Sequence, residues 1–435
     1  VLRKDFAKAF YEDRLLALKW LFFARDVRGG LGERRLFRVL LTDLAVSYDP
    51  VYALAAIGLV AEYGRYDDLL VLLQNKQVPR PIEQSVLSYL QETWQTDLQQ
   101  MQQGNPCSLL AKWLPSCNAS SEETKKLAKK IRRYFQLSEK EYRQALAALR
   151  KYLDVTEVKI CANHWSQIDY ARVPSRANLL YGNAFWRHDE KRRNEFLENV
   201  LKQEAEMKAS VLYPHDIVSQ YCRLQQYDAN LEALWKSQNP LELGKKAAST
   251  LVVADGSGSM YGPVAGSRVK AIEVCMALAV YFAEGITGAF HNKFITFSEH
   301  PQLVDIGAGK NLLEKLKIAF GYNEVANTNV EAVFDLILQT AIKQKAKPHE
   351  LPETILILSD MEFDAALSAP VDEKLFQTIS RKYAAKGYKL PRLVFWNLHS
   401  RTMTVPLRKN PKGVVLVSGF SPHIVQLVMS GETDP

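Results

Sequence analysis

Residues 250–260 read Thr-Leu-Val-Val-Ala-Asp-Gly-Ser-Gly-Ser-Met, and this stretch predicts how the second half of the chain folds. Its first five residues are apolar or β-branched, which is typical of a buried strand, and polar side chains begin directly after Ala254. Further runs of this kind are predicted as strands at Lys293–Phe297, Thr354–Leu358, Arg392–Trp396 and Gly413–Ser418. Helical segments separate most of them, so the sequence predicts a doubly wound, mainly parallel α/β sheet with helices on both faces.

The first half has a different pattern. From residue 5 to about residue 240 the apolar residues recur at helical spacing, without convincing period-two alternation. Predicted helices cover Pro50–Tyr63, Tyr66–Leu73, Pro81–Gln103, Glu122–Phe135, Ser138–Tyr152 and Asp189–Met207. Helices with short connections pair antiparallel, as in bundles or stacked repeats. We therefore expect a multidomain protein, with an all-α helical-repeat domain at residues 1–245 and an α/β domain at residues 249–435.

Composition agrees with two domains and excludes several classes of protein. The chain has 435 residues, 47% hydrophobic and 24% charged, which is typical of globular proteins. Its five cysteines form no C-x-x-C pair, so we expect neither disulfides nor a zinc knuckle. Charged residues at the start and the lack of roughly 20 consecutive apolar residues predict a cytoplasmic protein without a membrane segment. Because the first residue is Val1 and a helical pattern is running by Asp5, we expect the natural N-terminus to lie further upstream.

The formal net charge of +8 is unevenly distributed. Residues 1–250 contain 37 basic and 30 acidic side chains, whereas residues 251–435 contain 19 and 18. Residues 121–200 alone contain 17 basic and 11 acidic side chains. Two interpretations remain open: solvated helix faces, or a surface that binds phosphates.

Short oxygen-bearing side chains follow the strand at residue 250 at alternate positions. Asp255, Ser257 and Ser259 can point towards one centre, because Gly256 and Gly258 let the backbone bend tightly. Thr328, before a predicted helix at Val330–Lys343, and Asp360, after the strand at residue 354, are candidates to complete the set. One or two carboxylates with hydroxyls form a hard-oxygen site, so we expect a divalent cation, Mg²⁺ first and Mn²⁺ or Ca²⁺ as alternatives.

This pattern resembles the metal-ion-dependent adhesion site of von Willebrand factor A domains, in which D-x-S-x-S, a later Thr and a later Asp surround the metal. The resemblance implies that the hydroxyls of Ser257, Ser259 and Thr328 bind the metal directly or through water. It implies that Asp255 and Asp360 supply negative charge. It also implies that one metal position stays open for the Asp or Glu of a protein partner.

The helical half resembles the TROVE module of the Ro ribonucleoprotein autoantigen. The motifs are R-D-V-R-G-G-L-G-E-R from residue 25, E-Y-G-R-Y-D-D-L-L from residue 62, and the block from Trp165 to Arg193. A related bacterial, viral and plant family, which joins this module to a von Willebrand A domain, is more similar still, and its S-D-M-E-F-D motif occurs at residues 359–364. In Ro proteins the HEAT-like helical repeats close into a ring that binds RNA, so the resemblance implies a small structured or single-stranded RNA as partner.

Basic side chains in these motifs are the candidate RNA contacts, and no DNA specificity is expected. They are Arg25, Arg28, Arg34, Arg35, Arg172, Arg176, Arg187, His188, Lys191, Arg192 and Arg193. Aromatic residues between them are suited to base stacking. The alternatives are a local ion-pair network that shapes the glycine turn after Arg28, and aromatic side chains that belong to the core.

These observations favour a non-enzymatic, Ro-like RNA-binding scaffold with a metal-dependent adhesion site. No nucleophile elbow passes through Ser257 or Ser259, and Gly309-Lys310 lacks the flanking residues of a phosphate-binding loop. A protein-interaction module without RNA binding is the first alternative. A metal-dependent hydrolase is the second, although no His or Lys is placed to act as a base.

Overall fold

The computed structural model describes residues 2–26, 28–238, 249–264, 267–307, 309–322, 329–360 and 373–398, together with the backbone of residues 414–418; side chains of residues 373–375 are not described. The chain forms two compact units, Val1–Ile168 and Asp169–Asp434, called here the first and the second unit. None of the described helices is long and apolar enough to cross a membrane. All five cysteines are free thiols, as the sequence predicts.

The first unit is helical. Its helices are α1 (Leu2–Glu12), α2 (Arg14–Arg25), α3 (Arg34–Ser47), α4 (Pro50–Tyr63), α5 (Tyr66–Gln74), α6 (Arg80–Gln103), α7 (Leu110–Trp113), α8 (Glu122–Tyr134), α9 (Glu139–Tyr152) and α10 (Thr156–Cys161). Local sequence sets their ends. The side chain of Ser138 accepts a hydrogen bond from Glu141 N while the Glu141 carboxylate accepts from Ser138 N, a capping box that starts α9. Gly104, at φ 74°, ends α6.

Apolar stripes of these helices form one core. Phe37, Leu40 and Leu44, at spacings of three and four, are fully buried on α3. Trp94 on α6 stacks on Tyr142 of α9, with ring centroids 5.6 Å apart. Each buried side chain of this size stabilises the folded unit by roughly 1.5–3 kcal/mol relative to exposure.

The second unit begins with helices and continues as an α/β sheet. Its helices are α11 (Ser175–His188), α12 (Glu190–Leu201), α13 (Pro214–Leu224), α14 (Ala229–Lys236), α15 (Ala271–Gly285), α16 (Leu312–Gly321), α17 (Val330–Lys343) and α18 (Glu373–Ala384). Its strands are β1 (Thr250–Ala254), β2 (Lys293–Thr296), β3 (Leu303–Asp305), β4 (Thr354–Ser359), β5 (Arg392–Asn397) and β6 (Val414–Ser418).

The six strands form one sheet in the order β3-β2-β1-β4-β5-β6. β3 is antiparallel to β2 and the other neighbours are parallel; Leu251 of β1, for example, pairs with Ile355 of β4. Alternate residues of β1 face opposite sides: Val252 joins a core with α15, and Leu251 joins one with α17. The predicted doubly wound sheet is therefore confirmed, and the antiparallel edge strand β3 is an addition to it.

The division into compact units falls between Ile168 and Asp169, and the domain boundary expected at residues 245–249 stays a prediction. Helices α13 and α14 lie in the second unit because their apolar faces share a core with α15. Ile217, Leu234 and Trp235 are all at most 2% exposed in that core. Polar contacts reinforce it: Trp235 Nε1 donates to Glu284 Oε2 at 2.9 Å, and Lys315 pairs with the same carboxylate.

Candidate functional site

The predicted oxygen donors meet at the carboxyl end of the sheet. Asp255 N donates to Leu358 O at 3.0 Å, which continues the β1–β4 ladder by one residue and places Asp255 beside the end of β4. Asp255 and Asp360 are 5% and 3% exposed. The strands thus bring together two carboxylates that are 105 positions apart in the sequence.

Hydroxyl groups surround the Asp255 carboxylate. Ser359 Oγ donates to Asp255 Oδ2 at 2.6 Å, and Ser257 N donates to Oδ1 at 2.8 Å. Ser257 Oγ and Ser259 Oγ are 3.0 Å apart and share a hydrogen bond. Asp255, Ser257 and Ser259 therefore gather in one tight turn, as their alternate spacing predicts.

Thr328, the remaining predicted ligand, lies outside the described residues. Its chain neighbour Asn329 starts α17, with a side-chain oxygen that accepts from Ala332 N at 3.0 Å. Asn329 N also donates to Ser298 O at 3.4 Å, and Phe297 N donates to Ala254 O at 2.8 Å. The start of α17 therefore lies at the same end of the sheet as Asp255.

Ser298 is a polar residue of this region that the sequence pattern did not reveal. It is 1% exposed, and its Oγ has no hydrogen-bond partner among the residues that the structure describes. A lone serine two residues beyond a strand has no distinctive spacing, so only its position after Phe297 could have marked it. The carboxyl end of the sheet thus contains an additional buried hydroxyl.

The electrostatics of this cluster suit a cation. Burial raises the pKa of the Asp255 carboxyl, the hydrogen bonds from Ser359 and Ser257 oppose that rise, and the negative charge of Asp360 adds to it. Two buried carboxylates with hydroxyls are hard-oxygen donors, the set that Mg²⁺ or Ca²⁺ prefers over zinc. No group of three or more His, Cys, Asp and Glu side chains that could hold a metal ion occurs within the described ranges, so an ion here would need the hydroxyl groups as well as the two carboxylates. The residues present therefore fit a hard divalent ion.

The glycine motif after α2 packs against the motif at residue 62. Gly30 lies so close to the end of α2 that a Cβ there would be 1.8 Å from Phe23 O, which only glycine avoids. Arg25 Nε donates to Asp68 Oδ2 at 2.8 Å, and Arg28 Nη2 donates to Glu62 O at 2.9 Å. The ion pair of Arg25 with Asp68 therefore ties this turn to α5, and the hydrogen bond of Arg28 to a backbone carbonyl ties it to α4.

Two predicted RNA contacts are corrected by burial. Arg25 is 2% exposed and Arg193 is fully buried, so neither guanidinium is available to a ligand on the surface. Arg193 lies 4.7 Å from the centroid of the Tyr170 ring and 5.2 Å from that of Phe185, and its Nη2 donates to Asn178 Oδ1 at 3.1 Å. Burial lowers the pKa of Arg193 to about 10. Tyr170 and Phe185 are core residues, as the alternative interpretation held.

The other predicted cations of the second unit are exposed. The exposed cations on or next to α11 and α12, called here the basic face, are Arg172, Arg176, Arg187, His188, Lys191 and Arg192. Trp186, 50% exposed, directly precedes Arg187 on α11. Arg176 pairs with Asp216 at 2.7 Å and Arg192 with Asp189 at 2.8 Å. The basic face therefore combines cations with an accessible aromatic ring.

Comparisons with known proteins identify the family. A family model described as domain of unknown function DUF2828 matches residues 61–252, and one described as DUF7788 matches residues 249–434. The uncharacterized protein L728 of Acanthamoeba polyphaga mimivirus is 30% identical, over 98% of this chain and 78% of that protein. The chain belongs to the family of this viral protein. Among solved structures, the Ro (RSR) protein of Deinococcus radiodurans is similar at a TM-score of 0.48 and 16% identity, covering 99% of this chain and 93% of that one.

Proposed function

We propose that this protein is a non-enzymatic, Ro-like RNA-binding scaffold whose second unit contains a von Willebrand A-type metal site for the carboxylate of a protein partner. The observation that carries the proposal is the convergence of Asp255, Ser257 and Ser259 with the end of β4, where Asp360 follows Ser359. The sequence motifs shared with the TROVE module support the RNA-binding part.

In this proposal Asp255, Ser257, Ser259 and Asp360 hold a divalent ion, Mg²⁺ first, and Thr328 completes the set. Asp255 and Asp360 would hold the ion by charge, and a bound ion would supply positive charge to these buried carboxylates and could take an oxygen ligand from a partner. The two buried carboxylates repel each other, so a cation at this position would stabilise the folded second unit. A partner that offers Asp or Glu satisfies the remaining coordination.

The basic face is the proposed RNA surface. Its guanidinium, ammonium and imidazole groups suit phosphate oxygens, and Trp186 is accessible for stacking on a base. Phosphate contacts carry little sequence information but depend strongly on salt. We therefore expect a structured or single-stranded RNA that binds through its backbone.

Fluorescence anisotropy with labelled single-stranded and hairpin RNAs tests this surface in the full chain. The triple variant Arg172→Glu, Arg187→Glu and Lys191→Glu should bind at least tenfold more weakly. Its slope of log affinity against log salt should fall by about 2, because roughly 0.7 counterion is released for each phosphate contact of a single strand.

The matched control reverses three exposed cations of α8. Lys126→Glu, Lys129→Glu and Arg133→Glu change the net charge equally, and their side chains lie in the first unit. The control should bind within about threefold of the unmodified protein. An equal loss of RNA affinity in both triple variants would show that net charge, and not the basic face, determines the binding. No binding at low salt would give precedence to the protein-interaction alternative.

A further inference from the structure

A cleft in the first unit is lined largely by arginines. It has a volume of about 420 Å³, and α1 and α3 contribute Arg3, Arg34, Arg35 and Arg38. Val39 of α3 and Val71 of α5 form an apolar part of its wall. Ligand sites of small molecules typically combine such a volume with a few convergent polar groups and apolar walls.

Carboxylates lie behind this cleft rather than in its lining. Asp67 pairs with both Arg34 and Arg38, and Asp68, fully buried, pairs with Arg38 and with Arg25. Two carboxylates thus position three guanidinium groups, one of which, Arg25, is itself buried. Fixed guanidinium groups bind a planar or tetrahedral oxyanion with little loss of side-chain entropy.

The local charge balance around these pairs is positive. Arg3 Nε lies 3.7 Å from Asp43 Oδ1, which is longer than a hydrogen bond, and the side chain of Arg3 is 62% exposed. Four arginines line the cleft, and no carboxylate belongs to its lining. The lining itself is therefore positively charged.

We propose that the cleft formed by Arg3, Arg34, Arg35 and Arg38 binds the phosphate group of a small phosphate monoester, whose organic part packs on Val39 and Val71. A phosphate monoester carries close to two negative charges and three acceptor oxygens, which several guanidinium groups can satisfy together. The apolar wall favours an ester over free phosphate. A volume of about 420 Å³ suits a small molecule, so Arg34 and Arg35 serve this ligand. This inference goes beyond the proposed function and uses neither the metal site nor the basic face.

Isothermal titration calorimetry on the full chain tests the inference, with inorganic phosphate and phenyl phosphate as the probes. Phenyl phosphate should bind at one site per chain, at least threefold tighter than inorganic phosphate because of the valine wall. The double variant Arg3→Gln and Arg35→Gln should weaken binding at least tenfold. Both side chains are exposed, so the fold should be retained, and the thermal unfolding temperature checks this.

A second double variant, Lys4→Gln and Lys8→Gln, removes the same charge from exposed positions of α1. It should leave the affinity for phenyl phosphate within twofold. The inference is overturned if neither probe binds to the full chain. It is also overturned if the two double variants weaken the binding of phenyl phosphate equally.

Discussion

Ser359 Oγ and Asp255 Oδ2 form a 2.6 Å hydrogen bond between the ends of two neighbouring parallel strands, 104 positions apart in the sequence. Both residues are buried, at 1% and 5% exposure. The bond fixes the Asp255 carboxylate relative to Asp360, the residue after Ser359. It is therefore the contact on which the geometry of the proposed metal site depends.

Removing this donor should destabilise the second unit. In metal-free buffer, Ser359→Ala should lower the free energy of unfolding by about 1–3 kcal/mol, because a buried carboxylate oxygen loses its hydrogen-bond donor. Urea denaturation measures the change. In an Asp255→Asn background, Ser359→Ala should lower the free energy of unfolding by less, because a neutral amide without a donor is easier to bury than a carboxylate. An equal loss in both backgrounds would show that the hydrogen bond between Ser359 and Asp255 does not cause it.

The neighbouring residues Arg192 and Arg193 should behave differently. Arg193→Ala should lower the free energy of unfolding by roughly 3–5 kcal/mol, because it leaves a cavity between aromatic rings. The side chain of Arg192 is 42% exposed, so Arg192→Ala should cost less than about 1 kcal/mol. Thermal and urea unfolding distinguish the two variants. A small effect at Arg193 would contradict its structural role.

The second unit should lose stability in mild acid through His215. Burial lowers the pKa of this 4%-exposed imidazole to about 4; the carboxylate of Asp216 opposes that shift and Arg176 adds to it. Between about pH 6.5 and pH 4 the unfolded chain binds a proton that the folded chain does not, so stability falls as the pH falls. The loss across this window is about 3 kcal/mol.

Urea unfolding at several pH values measures this dependence. His215→Gln should remove that share of the slope between pH 6.5 and pH 4. His164→Gln, at an exposed position of the first unit, should leave the slope unchanged. A slope that is the same with and without His215 would show that other groups cause the acid sensitivity.

Truncation should reveal where the second unit begins. A fragment of residues 169–435 should fold cooperatively, because it retains α13 and α14 on α15. A fragment of residues 249–435 should expose the apolar residues of α15 that contact Ile217, Leu234 and Trp235, and should aggregate or lose its cooperative transition. Size-exclusion chromatography and near-ultraviolet circular dichroism distinguish these outcomes. A stable, monomeric 249–435 fragment would favour the boundary expected from the sequence pattern.

The features that sequence patterns predict well here are local ones. Five apolar or β-branched residues before Asp255 predict β1, and the alternate positions of Ser257 and Ser259 predict the turn that brings their hydroxyl groups together. The burial of Arg193 could not be predicted in this way. A cation in a helix is compatible with a solvated face, and only the rings of Tyr170 and Phe185, brought together by folding, make it a core residue.

The same limit applies to the arginines of the first unit and to the division of the chain. Arg25 is buried because Asp68, 43 positions away, supplies its carboxylate. Helix α13 has an apolar face that would suit a helical bundle as well as a sheet domain. Its packing on α15 places it in the second unit, so the basic face and the proposed metal site belong to one compact unit.

Binding of Mn²⁺, followed by electron paramagnetic resonance of the free ion, tests whether Asp255 and its neighbours hold a divalent cation. The unmodified protein should bind one ion per chain, and Asp255→Asn should bind it at least tenfold more weakly while remaining folded. Asp305→Asn, which neutralises an exposed carboxylate of β3 in the same unit, should bind like the unmodified protein. An unchanged Mn²⁺ affinity in Asp255→Asn, or no bound ion in the unmodified protein, would show that Asp255 does not hold a divalent ion.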